Sequence, residues 1–255
     1  MIFDNVRTLT PPSLLKPNTG RAGKQSNEPL LVWTMDDAFL SDYTTVYPLL
    51  SANGIKGTSF VATDWVGGKG FCSWEQLKEM KASGMWDLQG HTHTHPMLGL
   101  KDEARIRQEL ETVNSEFIAQ GLEPPEHHAY PFGSSSAISE PIVAEYRKTQ
   151  RLTGAYRKHT NNREDIISSP YGVLKGVSID TQDDDRLALV KDVITWGNNT
   201  GKVIILYHHR VVSEPDGYAY QISEHYLNEI VEHVKATGIR SVTLPEMYNI
   251  VYEQD

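Results

Sequence analysis

Short apolar runs alternate along this chain with stretches of helical period, and the alternation recurs seven or so times. Repetition of that kind builds a parallel sheet with helices packed outside it, an α/β architecture. The runs expected as strands lie at 30–35 (LLVWTM), 56–62 (KGTSFVA), 86–89, 127–131, 152–156, 172–179, 202–207 (KVIILY) and 240–243. Residues 42–53 read as a helix that ends at Gly54 and is kinked or shortened by Pro48. Ser73 with Gln76 three residues later forms a capping box for the next helix, with Gly84 past its end. Further helices are expected at 102–120, 140–150, 184–197 and 224–237, the last capped by Ser223 and ended by Gly238, and one more closes the chain. In such a fold, chemistry gathers at the C-terminal ends of the strands.

A length of 255 residues with 39% apolar content suits one large domain or two small ones, and an α/β barrel of this size is routine. Cys72 stands alone, so no intrachain disulfide forms and the core must supply the stability. A net charge of −9 argues against nucleic acid or an anionic membrane as partner. No apolar run approaches the roughly 18 residues of a membrane span. The first residues lack a basic start followed by an apolar core. The sequence therefore reads as cytoplasmic, virion-associated, or secreted with its leader outside this numbering. Residues 1–28, rich in Pro, Gly, Ser and Asn, read as an arm or linker before a catalytic domain at 29–255.

Four clusters at expected strand ends carry chemistry. Asp36 and Asp37 follow the first strand. Strand neighbours point to opposite faces, so both carboxylates reach one site only if the backbone leaves strand geometry there. Once close, they require a cation or a shared proton. Gly90-His91-Thr92-His93-Thr94-His95-Pro96 places two imidazoles four residues apart, as paired metal ligands are; His91 and His95 are the natural pair, with His93 pointing elsewhere. Tyr130-Pro131-Phe132-Gly133 reads as a rigid loop able to present a backbone N–H to an oxyanion. Leu206-Tyr207-His208-His209 puts a histidine where a general acid or base would stand.

In order and spacing these clusters resemble the motifs of the NodB-homology polysaccharide deacetylases, carbohydrate esterase family four. TMDDA at 34–38 matches T-F-D-D-G. HTHTH at 91–95 matches the H-T-x-S-H-P form at His91, Thr92 and His95. YPFG at 130–133 matches the third motif, and Leu206-Tyr207-His208 matches L-x-H. The resemblance runs from about Leu30 to Tyr248. It implies a distorted (β/α) barrel with about seven parallel strands. It also implies a divalent metal held by Asp37, His91 and His95, usually Zn2+, with Co2+, Ni2+ or Mn2+ as alternatives. Asp36 would be the base, His208 the acid that protonates a departing amine, and the backbone N–H of Tyr130 an oxyanion donor. Trp65, Pro131, Phe132 and Leu206 are the expected substrate contacts, with Thr92, Lys175 and Asp180 supporting the site. The implied reaction removes acetyl groups from a chitin-, peptidoglycan- or poly-N-acetylglucosamine-like glycan.

The departures bear on the site. The Arg that many members carry in the third motif is replaced by Ala129, and Lys175 is the substitute cation considered for Asp36. The fourth motif is not recognisable, which leaves Asp180 to orient His208. Ala38 stands where the first motif has Gly. The segment 213–220 (SEPDGYAY) follows a strand end and reads as a loop that could border the substrate groove. Two other functions fit the same residues: hydrolysis of O-acetyl esters on xylan-like glycans or of small amides and imides, and a glycan-binding virion or surface module with a decayed site.

Overall fold

The computed structural model describes residues 28–154, 171–181 and 183–252; of the expected 1–28 arm only Glu28 falls within them, its carboxylate paired with Arg240 at 3.0 Å. Seven parallel strands close into a barrel: β1 (Leu30–Asp36), β2 (Gly57–Val61), β3 (Trp86–Gly90), β4 (His127–Ala129), β5 (Thr149–Thr153), β6 (Val173–Ser178) and β7 (Val203–His208), with β7 pairing back onto β1. Helices α1 (Tyr47–Ala52), α2 (Trp74–Ala82), α3 (Glu103–Ala119), α4 (Ser139–Tyr146), α5 (Asp184–Thr200) and α6 (Glu224–Thr237) alternate with them, and α7 (Leu244–Tyr252) ends the described chain. The barrel is uneven, as expected for a distorted one. β3 and β4 share the single pair Gly90–His128, whereas β1 and β7 stay in register over six residues.

All of β1 is buried because it is flanked on both sides. Its upper part, from Trp33 to Asp36, pairs with β2; its first two residues pair with β10 (Arg240–Ser241). Strand alternation then sorts side chains into two cores. Leu31, Trp33, Met35, Ile204 and Leu206 face the helix layer. Leu30, Val32, Phe60, Ala129, Leu174, Val203 and Ile205 fill the barrel, closed below by Leu244, Met247 and Val251 of the last helix. The caps form as expected: Ser73 and Gln76 make a reciprocal capping box, Ser223 Oγ accepts from the Tyr226 N–H, and Gly238 ends α6 at a φ of 69°.

Three expectations shift. The helix at 42–53 begins as a π-helical turn, Asp42–Val46, and becomes α1 only at Tyr47, with Pro48 in its first turn where a missing N–H is tolerated. The fifth strand starts three residues earlier than its apolar pattern indicated, so Arg151 lies inside it. A second, two-stranded parallel ribbon, β8 (Arg210–Val212) with β9 (Gln221–Ser223), leaves directly from the end of β7 and carries the 213–220 loop between its strands.

Candidate metal centre and active site

At the end of β1 the chain leaves strand geometry, as the adjacent carboxylates require: Asp37 and Ala38 take φ values of 75° and 59°. Thr92, His95 and Phe132 are the other non-glycine residues with positive φ among the described residues, and all five lie in the loops around this one site. Left-handed backbone costs roughly 1–2 kcal/mol for a residue with a Cβ, so the surrounding structure must hold it. Ala38 occupies such a conformation where the family's Gly would relieve it.

Asp37, His91 and His95 offer ligand atoms that all lie within 4.8 Å of one another. Asp37 Oδ1 is 3.4 Å from His91 Nε2 and 3.1 Å from His95 Nε2. Two ligand atoms bound tetrahedrally at about 2.0–2.1 Å from one ion stand about 3.3 Å apart. His91 Nδ1 donates to the Ala129 carbonyl at 2.7 Å, which fixes the tautomer and turns the Nε2 lone pair toward Asp37. Burial, only partly opposed by Asp36 and Asp37, lowers the His91 pKa to about 4, so the ring is neutral and no charged His–Asp pair forms there. Asp37 Oδ1 is accordingly a buried acceptor without a hydrogen-bond donor. A lone pair facing a carboxylate across this distance is the arrangement a cation completes, and the residues fit a divalent metal. Thr92 holds the turn between the two ligands, its Oγ1 donating to the His91 carbonyl and accepting from the His95 N–H at 3.1 Å. His93 points away, as expected, onto Thr63 Oγ1 at 2.9 Å.

Asp36 faces the barrel interior beside this triad and belongs to a different network. The cation that orients it is Arg151 on β5, whose Nη2 donates to both carboxylate oxygens; Lys175 is exposed on β6 and is not that cation. Arg151 is buried, with its guanidinium 4.5 Å from the Tyr207 ring and 5.3 Å from that of Phe60. Room for that stack comes from Gly176, where a Cβ would stand 2.7 Å from the Tyr207 ring and 3.0 Å from Arg151 Cδ. Burial alone would raise the Asp36 pKa, but Arg151, with His91 and His209, outweighs it and holds the carboxyl below its ordinary value. Asp42, fully buried nearby, meets the opposite fate: burial, with repulsion from Asp37 and Asp36, pushes its pKa well above the carboxylate range.

The backbone corrects the expected roles of His208, Asp180, Tyr130 and Leu206. His208 shares strand parity with Leu206, and both face the helix layer. His208 is fully buried, edge-on to Trp33 at 6.3 Å, and its Nδ1 contacts the His209 carbonyl at 2.9 Å. The residue that turns inward is His209, whose Nε2 lies 3.9 Å from Asp36 Oδ2. Asp180 accepts from the His209 backbone N–H at 3.0 Å and pairs with its Nδ1 at 2.7 Å, so it orients His209 and not His208. Burial would lower the His209 pKa; the hydrogen bond and charge of Asp180, with Asp36 and Asp37, raise it to about 9. The Tyr130 N–H donates to the Arg151 carbonyl at 3.0 Å, so it is not an oxyanion donor. Pro131 has no N–H; the next amide along the turn is that of Phe132, whose ring lies 4.8 Å from that of His95. Trp65, half-buried, brings its ring to 4.5 Å from His95, while Leu206, expected as a substrate contact, is instead fully enclosed in the outer core.

The sequence profile of the polysaccharide deacetylase family matches residues 23–150, half of the chain, and the chain belongs to that family. A Bacillus subtilis protein assigned to the polysaccharide deacetylases is 33% identical over 122 residues, covering 48% of this chain and 42% of its own length. The poly-β-1,6-N-acetyl-D-glucosamine N-deacetylase of Staphylococcus aureus (strain MRSA252) is 25% identical over 126 residues, covering 44% of this chain and 43% of its own. The chain thus spans less than half the length of these curated relatives. Among solved structures, the chitin deacetylase of the fungus Colletotrichum lindemuthianum superposes with a TM-score of 0.60 at 16% identity, covering 88% of this chain and 89% of that one. A carbohydrate esterase domain of a xylanase from the hindgut metagenome of Trinervitermes trinervoides gives 0.57 at 16% identity, covering 87% and 90%. These two likenesses bear on the fold alone, and they agree with the barrel described above. Among the described residues no helix is long and apolar enough to cross a membrane.

Proposed function

We propose that this polysaccharide deacetylase hydrolyses the N-acetyl group of an amino-sugar polymer, with Asp37, His91 and His95 holding one divalent metal, Zn2+ by preference. The observation that carries the reading is the division of the aspartate pair: Asp37 faces the Nε2 atoms of His91 and His95, while Asp36 is kept ionised by Arg151 outside that triad. The metal, when bound, supplies a Lewis acid that activates water and polarises the acetyl carbonyl. Asp36 takes the proton from the attacking water. The Phe132 N–H donates to the oxyanion that develops on the carbonyl, a contact worth about 3 kcal/mol in comparable sites. His209, protonated and held by Asp180, gives its proton to the departing nitrogen. That last group favours an amide substrate over an ester, because an amine leaves only when protonated whereas an alkoxide is a better leaving group. Arg151 and Asp180 act as positioning residues.

Acetate release from N-acetylglucosamine oligomers and from acetylxylan, each with the zinc-loaded protein, tests the reading. Release from the amino sugars is expected. Release confined to acetylxylan would reassign the chain as an esterase, and glycan binding without release from either would make it a binding module.

A further inference from the structure

Resting on the deacetylase reading, we infer that the 213–220 loop is a sugar-stacking subsite, with a sugar that neighbours the reacting one seated on Tyr218 and Tyr220. The loop follows closely on the general acid: β7 ends at His208, His209 turns toward Asp36, and the β8–β9 ribbon carries the loop, whose Tyr220 lies beside His209. Tyr220 sets its ring 5.1 Å from that of His209, and Tyr218 lies 5.7 Å from Tyr220. Both residues are nearly half exposed, 47% and 48%. Rings left this open at a catalytic rim contribute little to the core.

Yet the loop is braced. Arg210 Nη2 donates to Asp216 Oδ2 at 2.6 Å and to Gln221 Oε1 at 2.7 Å. Asp216 Oδ1 accepts from the Tyr218 N–H at 3.1 Å, and the Arg210 guanidinium stacks 5.2 Å from the Tyr218 ring. Asp216 therefore ties the strand before the loop to the backbone of the tyrosine segment, and Arg210 backs the Tyr218 ring. A pyranose offers one face of C–H groups that packs on such a ring, while the phenol oxygens reach its hydroxyls. A second aromatic wall, Trp65 and Phe132, stands beside the ligand His95. A lone amino sugar at the metal needs one wall. Walls beside both His95 and His209 suit a chain that extends past the reacting residue.

The test uses calorimetric binding in the zinc-loaded Asp36→Asn background, where the ligand is not consumed. The probes are the N-acetylglucosamine monomer and tetramer, with xylotetraose for comparison. The tetramer is expected to bind at least about tenfold more tightly than the monomer, and Tyr218→Ala with Tyr220→Ala to remove about tenfold of that gain. Tyr218→Phe with Tyr220→Phe, which keeps the rings, is expected to restore it. Equal affinity of monomer and tetramer, a length preference that survives the Ala changes, or Phe variants as weak as Ala variants would overturn the subsite. Tighter binding of xylotetraose than of the amino-sugar tetramer would overturn it as an amino-sugar subsite. The deacetylase reading fails separately, by absence of acetate release from the unmutated enzyme.

Discussion

Asp36→Asn is expected to retain the metal and to lose about 10²- to 10⁴-fold in turnover. Asparagine has nearly the shape of aspartate but cannot accept the proton of the attacking water. The change also leaves the Arg151 guanidinium buried without its counter-charge, and breaking a buried pair costs about 3–5 kcal/mol of stability. The melting temperature should therefore fall as well. The two effects separate cleanly: kcat for acetate release and metal content are measured on the same preparation, well below its melting transition. A variant with full metal and full kcat would remove Asp36 from the role of base.

The second large effect distinguishes two adjacent histidines. His209→Gln is expected to lower kcat on an N-acetyl substrate by about 10²- to 10⁴-fold, and to affect an activated aryl acetate much less, since that leaving group departs without a proton. His208→Gln is expected to change the melting temperature while kcat is retained, because its ring is enclosed against Trp33 in the outer core. If His208→Gln lost turnover on the amide and His209→Gln kept it, the strand parity argued above would be wrong at the end of β7.

This pair also marks the boundary of what the sequence discloses. The carboxylates and the His91/His95 turn were legible because their chemistry lies in short spacings: adjacent acids after an apolar strand, imidazoles four apart between Gly and Pro. The choice between His208 and His209 depends on which face of β7 the chain presents as the strand ends, and the L-x-H match pointed to the outward one. Arg151 was hidden for a different reason. It lies 115 residues from Asp36 in a strand whose apolar pattern, TQRLT, begins weakly, so the strand was expected to start after it. The loss of Tyr130 as oxyanion donor is likewise a pairing between strands, its N–H bonded to the Arg151 carbonyl. Asp42 left no signal, since its burial follows from the π-helical turn that carries it. The alternation of strands and helices was legible through periodicity, whereas the β8–β9 ribbon, of three residues a side, is too short for any period to register.

The claim beneath all of this is that Asp37, His91 and His95 grip a single divalent ion. Metal analysis of the protein dialysed against trace zinc, beside Asp37→Ala and His91→Ala prepared identically, tests it most directly. The account predicts about one zinc per chain in the unmutated protein, a small fraction of that in either variant, and acetate release that disappears with chelation and returns with zinc. One equivalent of zinc retained by both variants, or undiminished activity in the chelated protein, would contradict it.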